Sequence, residues 1–328
     1  MKRNLLIVFS VVFGLMGPAY GEQSAEEILK AIVKIKSVIP ANAFTARTLG
    51  TEREGNGVVI DSKGHILTIG YLIVEAETLE VTTGEGKTIS ASFVGYDHDT
   101  GFGLLKADQP LAITPMKLGK SSGVKQGDPV LMAGYGGTES VQAGRVIARK
   151  EFPGYWEYLL EDAIYTAPAH TGFGGAAMID PDGKLLGIGS LLTQVIIPGF
   201  GSIACNISVP IDLLYPILGD LIAKGRTSAA PRPWLGLNAE EGHGRVFVLR
   251  VTSGSPAETA GLRPGDMVLT VKGEEVKGLA DFYRKIWALG NAGVEVPLGL
   301  LRGTRIQDIT VKSIDRNRLL RQKQPKEL

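Results

Sequence analysis

The chain has 328 residues and a formal net charge of +1, its 35 basic and 34 acidic side chains mixed along the length. That balance, with no basic block interleaved with aromatics, excludes a nucleic-acid surface, and the length allows two or three domains. One cysteine, Cys205, excludes an intramolecular disulfide and reads as a small buried hydrophobe.

At the N-terminus, Lys2 and Arg3 precede an apolar run from Leu5 to Met16, and Ala19-Tyr20-Gly21 offers small residues where a signal peptidase reads. The run is short for a bilayer span. Residues 1–21 are therefore expected to be a cleaved secretory signal. The expected address is the periplasm or cell envelope, by the general secretory route, with no stable membrane span afterwards. Ser24 followed by Glu27 predicts a helix cap, and the chain turns β-like from Ala31 to Val38. From Gly57 to about Pro210, short β-rich runs alternate with Gly, Asp, Asn and Pro: Val58–Ile60, Ile66–Thr68, Leu79–Thr82, Ile89–Val94, Leu104–Lys106, Val130–Gly134, Ala143–Lys150, Tyr158–Leu160, Ala176–Ile179 and Lys184–Gly189. Many short strands at close spacing predict a barrel or sandwich. Ile211 to Ala223 predicts a helix, and Lys224 to Pro233, rich in Gly, Ser, Ala and Pro, predicts a linker. Beyond it come strand-like Val246–Val251, a helix over Leu279–Leu289, and strand-like Val294–Leu301 and Ile306–Val311. The basic stretch Arg316 to Lys326 predicts a solvated, frayed terminus.

Gly55-Asn56-Gly57-Val58-Val59-Ile60-Asp61-Ser62-Lys63-Gly64-His65-Ile66-Leu67-Thr68-Ile69-Gly70-Tyr71 resembles the first-barrel signature of HtrA-type (Do-like) trypsin-fold proteases. Ser255-Pro256-Ala257, Ala260-Gly261-Leu262 and Gly265-Asp266 resemble, in order and spacing, a PDZ domain of the same family. The resemblance implies a mainly β chain: a trypsin-like double six-stranded antiparallel β-barrel followed by an α+β PDZ domain. The expected boundaries are 1–21 for the signal peptide, 22–223 for the protease-like domain and 224–231 for the linker. The PDZ domain is expected over 232–318 and a disordered basic tail over 319–328.

In that family the first motif ends on the catalytic histidine; here it ends on Tyr71. A phenol, with a pKa of about 10, does not act as a general base at neutral pH as an imidazole of about 6.5 does. The resemblance places Gly101, within Asp99-Thr100-Gly101-Phe102, at the family's acid. Its nucleophile lies in Gly-Asn-Ser-Gly-Gly-Pro, where this chain has His170-Thr171-Gly172-Phe173-Gly174-Gly175-Ala176. Either Phe173 occupies the serine position or the serine is deleted by a one-residue gap. Thr171 replaces the first glycine of the turn that aims the oxyanion donors, and a β-branched residue narrows its backbone freedom. With all three triad positions (Tyr71, Gly101, Phe173) changed, the expectation is that the chain is not an enzyme. Tyr71 and Phe173 are expected to fill the cleft with aromatic bulk. Of the histidines, His65 is expected exposed and His98, in Asp97-His98-Asp99, in a polar turn. His170, beside Thr171, is the candidate for a rewired hydrolytic centre. No metal-ligand spacing occurs, and no metal or cofactor is expected.

The PDZ resemblance implies that Leu235-Gly236-Leu237 forms a turn whose N–H groups cradle a C-terminal carboxylate and begins the edge strand to which a peptide adds. Phe282 and Ile286, one helical turn apart, line the side-chain pocket or are simply core. Pro256, Gly261, Gly265 and Asp266 set turns and a strand entry, and Trp234 packs between linker and domain. The functional expectation is an envelope pseudoprotease that binds protein or peptide C-termini in protein quality control, as a scaffold or regulator. The alternative is an active serine-type endopeptidase with a rearranged site; a third reading is a purely structural envelope protein. The resemblance also implies homo- or heterotrimers with HtrA-like relatives, although Phe44 is the sole aromatic between Glu26 and Arg47.

Overall fold

The structure, a computed structural model, describes residues 24–320 apart from 198 and 200. The expected signal peptide (1–21) lies outside the described residues, as does all but the start of the expected tail (319–328). The described chain opens on α1 (Ala25–Lys30) with the expected capping box: Ser24 Oγ accepts from Glu27 N at 3.2 Å, and Glu27 Oε2 accepts from Ser24 N at 3.3 Å.

Strand β1 (Ile32–Val38) follows, then the short helix α2 (Ala46–Leu49). Next come β2 (Glu52–Val59), β3 (His65–Ile69), β4 (Thr78–Thr82), β5 (Thr88–Tyr96) and β6 (Phe102–Ala107). They close an antiparallel barrel in the order β1-β2-β3-β6-β5-β4, with β4 returning to β1 through Ile35↔Val81. A second closed barrel is built from β7 (Pro129–Ala133), β8 (Val141–Gly154), β9 (Tyr158–Ala167), β10 (Ala177–Ile179), β11 (Leu185–Ile197) and β12 (Gly201–Pro210), in the order β10-β11-β12-β9-β8-β7. One apolar core runs through both barrels, from Ile35, Leu67 and Leu104 to Ile188, Ile207 and Val209, with Cys205 inside it. Closure leaves neither sheet with a free edge.

Three expectations need correction here. The helix expected over Ile211–Ala223 is a 3-10 turn (Ile211–Leu213) and a separate α3 (Leu218–Lys224). Pro216 lies between them: it has no N–H and disfavours the α conformation at Tyr215. His65 is 5% exposed, not exposed, because β3 is buried along its whole length; its Nδ1 meets Asp61 Oδ2 at 2.6 Å. The start of the expected frayed terminus is ordered. Arg316–Leu319 forms a 3-10 turn, Arg316 Nη1 donates to Trp156 O at 3.1 Å, and Leu320 is buried.

The linker is pinned at several points. Ser228 N donates to Asp220 Oδ2 at 2.8 Å, Tyr96 N to Gly225 O at 3.1 Å and Ala292 N to Pro231 O at 2.8 Å. After it come β13 (Leu237–Gly242), β14 (Arg245–Val251), α4 (Pro256–Thr259), β15 (Met267–Val271), β16 (Glu274–Glu275), α5 (Leu279–Ala288), β17 (Glu295–Arg302) and β18 (Arg305–Lys312). The sheet order is β13-β14-β15-β17-β18, with β16 paired to β15. Its core includes Leu235, Leu237, Phe282, Tyr283 and Ile286, and Leu159 of the second barrel joins it. Trp234, buried, meets Phe44 edge-on at 6.2 Å, so that ring is engaged inside the molecule.

Candidate functional site

Two places bear on function: the cleft between the barrels, where the triad positions were expected to be lost, and the 235–237 turn, expected to bind a carboxylate. Tyr71 sits on a 3-10 turn, Gly70–Leu72, directly after β3. Gly70 N donates to Gly101 O at 2.7 Å, which ties this turn to the one bearing Gly101. Arg53 holds the other side: its Nη1 donates to Tyr71 O at 2.8 Å and Val74 O at 3.2 Å, and its Nη2 to Thr45 Oγ1 at 2.9 Å. Thr45 in turn donates through its hydroxyl and its N–H to Glu75 Oε2, both at 2.7 Å. Burial, partly offset by the Glu75 charge, lowers the Arg53 guanidinium to about 10.

The Tyr71 hydroxyl donates to Ser190 O on β11 at 2.8 Å, and burial pushes the phenol above its ordinary value. A Cβ on Gly174 would lie 2.9 Å from that hydroxyl, so Tyr71 abuts the 170–176 loop. Phe173 is half-buried and its carbonyl accepts from Ala176 N at 3.0 Å. Gly101 has φ +86°, where an L side chain is strained, and a Cβ there would stand 3.4 Å from the Tyr158 hydroxyl. Asn56 of β2 clamps the loop. Its Nδ2 donates to Gly172 O at 2.8 Å and Gly174 O at 2.9 Å, and its Oδ1 accepts from Tyr135 N at 2.7 Å.

His170 anchors the same loop. Its N–H donates to Asn206 Oδ1 at 2.6 Å, and Nε2 lies 3.1 Å from Ser140 O. A carbonyl only accepts, so Nε2 carries the proton and Nδ1 holds the lone pair. Nδ1 is buried and has no hydrogen-bond partner.

The 235–237 turn is occupied by a carboxylate from within the chain. Leu235 N donates to Glu157 Oε2 at 2.8 Å; Gly236 N and Leu237 N donate to Glu157 Oε1 at 2.7 and 2.9 Å. Three consecutive N–H groups on one carboxylate form an anion nest. Gly236 makes it possible: φ is +87°, and a Cβ would lie 2.2 Å from Ser255 Cβ. Glu157, 3% exposed, sits in the β8–β9 turn. Burial raises its carboxyl above the ordinary value, opposed by the three N–H groups and Arg316. Phe282 and Ile286, 0% and 1% exposed, belong to the core beneath the helix; the sequence left groove and core open for them.

His98 is in the junction between the units rather than simply in a polar turn. Its Nδ1 is 3.0 Å from Tyr96 Oη, and Arg316 Nη1 donates to its Nε2 at 2.6 Å. Burial first, then the Arg316 charge, holds the imidazole well below its ordinary value. The surrounding cavity of about 440 Å³ has its charges paired across it, Arg232 with Asp99 at 3.1 Å and Arg226 with Asp315 at 3.7 Å. Among the described residues no three His, Cys, Asp or Glu converge as a metal set. Sequence reasoning missed Glu157, Asn56 and the junction role of His98. The one available signal for Glu157 was an acid set among aromatics, Tyr155-Trp156-Glu157-Tyr158.

With this geometry in hand, comparison with known proteins is specific. Residues 55–188 match the Trypsin-like peptidase domain family and residues 233–313 the PDZ domain family. The chain is 29% identical over 274 residues to a probable periplasmic serine protease do/HhoA-like of Haemophilus influenzae, covering 79% of this chain and 57% of the relative. It is 27% identical over 273 residues to the periplasmic pH-dependent serine endoprotease DegQ of Escherichia coli, covering 78% and 58%. The chain thus spans less than three-fifths of the length of these relatives. The fold is that of the HtrA-type protease AlgW solved with a decapeptide, at a TM-score of 0.52 and 22% identity, over 92% of this chain and 100% of that one.

These relatives correct one expectation. Tyr71, Gly101 and Phe173 suggested a chain that is not an enzyme, yet the similar proteins are serine proteases by name, and that favours protease activity. They are also periplasmic by name, and the chain is placed in the periplasm or cell envelope with them. Among the described residues no helix is long and apolar enough to cross a membrane. The chain therefore carries a trypsin-like peptidase domain of two barrels followed by a PDZ domain, the arrangement of the HtrA-type (Do-like) serine proteases to which it is similar.

Proposed function

We propose that this HtrA-like protein takes hold of polypeptides by their carboxyl termini, as a step in protein quality control in the cell envelope. One observation carries the reading: Leu235, Gly236 and Leu237 aim three N–H groups at a single carboxylate. A peptide terminus offers the same two oxygens, and β13 beside the nest can receive its backbone as an added strand. Phe282 and Ile286 would supply the apolar floor for the last side chain. The test is binding of peptides with a free C-terminal carboxylate against their amides. Equal binding of both forms would remove the nest from the reading.

The reaction that goes with this capture, on the relatives' names, is serine-type endoproteolysis. Tyr71, Gly101 and Phe173 offer no imidazole, carboxylate or hydroxyl nucleophile at the family's positions, so hydrolysis here runs through a rearranged centre. His170 is its candidate base, because Nδ1 keeps a lone pair that no donor occupies. That atom is buried, so a substrate reaches it only when the 171–173 segment moves. Saturable cleavage of casein by the purified chain, lost in His170→Ala and reduced in Thr171→Ala, is the expected result. Cleavage that survives both substitutions would remove His170 from this role.

A further inference from the structure

The Glu157 carboxylate does not reach the nest alone. Backbone groups at the tip of the β8–β9 hairpin also meet β13 and α5. Ala239 N, on the β13 edge, donates to Tyr155 O at 2.8 Å, the kind of main-chain bond an added strand makes. From α5, the Tyr283 hydroxyl donates to Gly154 O at 2.8 Å and accepts from Glu157 N at 3.3 Å. Arg284 of the same helix pairs with Glu151 at 2.6 Å and with Glu161, one on each strand of the hairpin. The features that would receive a peptide carboxylate and its backbone are filled by residues of the second barrel.

We propose that the Tyr155–Glu157 tip is a displaceable internal ligand, which closes the groove to polypeptide carboxyl termini until the PDZ unit undocks from the second barrel. The proposal rests on the reading of 235–237 as a carboxylate nest and names how that nest is regulated. Three observations favour displacement over permanent attachment. Glu157 has φ +58°, a conformation unfavourable for a residue with a side chain. Tyr155 is 54% exposed, and Ala239 N to Tyr155 O is the one strand-like bond at the tip. The outer ion pairs of Arg284 are exposed and therefore weak. An internal ligand competes at the effective concentration set by its tether, and it weakens apparent peptide affinity by the fraction of molecules whose groove is open.

The test uses the full chain and a fluorescein-labelled peptide pool with a fixed C-terminal valine, as free carboxylate and as amide, read by anisotropy. Glu157→Ala and Glu157→Gln are expected to bind the carboxylate pool on the order of tenfold tighter than the parent, with the amide pool unchanged. Equal affinity in parent and variants, with the carboxylate still preferred, overturns the internal ligand and leaves the nest standing. No carboxylate-dependent binding in any form overturns both. Hydrogen exchange guards against simple unfolding. In Glu157→Ala the amides of 235–239 should lose protection while β17 and β18 keep theirs; loss throughout the sheet would make Glu157 a purely structural residue and end the proposal.

Discussion

The Tyr71 hydroxyl donates to the Ser190 carbonyl across the inter-barrel cleft, joining the turn after β3 to β11 at 2.8 Å. Tyr71→Phe removes that donor and leaves a carbonyl of a largely buried residue short of one bond, at a cost of about 1 kcal/mol. The expected outcome is a fall in Tm of roughly 2–4 °C in a scanning calorimeter, with the PDZ amides unchanged in hydrogen exchange.

Arg53 ties the Tyr71 turn to the Glu75 loop through buried hydrogen bonds. Truncating one member of such a network leaves the others desolvated and unpaired. Arg53→Ala should destabilise the first barrel by about 3 kcal/mol, whereas Lys36→Ala, at a half-buried side chain whose head group reaches solvent, should change stability by less than about 0.5 kcal/mol. Urea unfolding monitored on first-barrel amides separates the two.

Gly236→Ala places a Cβ 2.2 Å from Ser255 Cβ at φ +87°. The nest cannot keep its shape with that atom in place, and the cost is at least about 2 kcal/mol. The expected result is loss of carboxylate-dependent peptide binding together with exchange of the 235–237 amides. Gly244→Ala, also at positive φ but in open space, should leave binding intact.

His98 gives the junction a pH dependence whose sign follows from its shift. Its folded value is lowered, so its contribution is complete above the unfolded value near 6.5 and is lost as pH falls towards the folded value. Arg316 and Arg232 oppose the imidazolium, while Asp97 and Asp99 face the same cluster. Glu157 and Asp99, both raised by burial, act in the opposite sense, and docking recovers as they take up protons nearer the carboxylate range. Limited proteolysis of the 224–231 linker should therefore speed up between pH about 7.5 and about 5.5. His98→Gln should flatten that profile.

The barrels and the PDZ unit were legible because their signals are local. Alternating β-rich runs, the Gly55–Tyr71 motif and the Ser255–Asp266 spacing each specify structure within one stretch of chain. What stayed hidden depends on partners far apart in sequence. Leu235–Leu237 could be read as a nest, but nothing in those residues names Glu157, 79 positions from Gly236, as its occupant. His65 was expected exposed because the burial of β3 is set by β2 and β6 on either side, which its own stretch of sequence does not name. The helix expected after Ile211 failed on a signal that was present, Pro216. The tail misled because Arg316 reads as a solvated charge until Trp156 and His98 stand beside it. The chemistry inferred from Tyr71, Gly101 and Phe173 concerned single positions, and the relatives' names weigh against extending it to the whole protein's activity.

The Asn56 clamp bears on how the molecule assembles. Its side chain meets residues 79, 116 and 118 positions away, all in the second barrel or the loop that closes it. Bringing such distant segments together costs loop-closure entropy that is recovered only when both barrels already stand. The seam between the barrels therefore zips up late, and weakening Asn56 should hasten unravelling of the finished protein while leaving the speed of its formation nearly untouched.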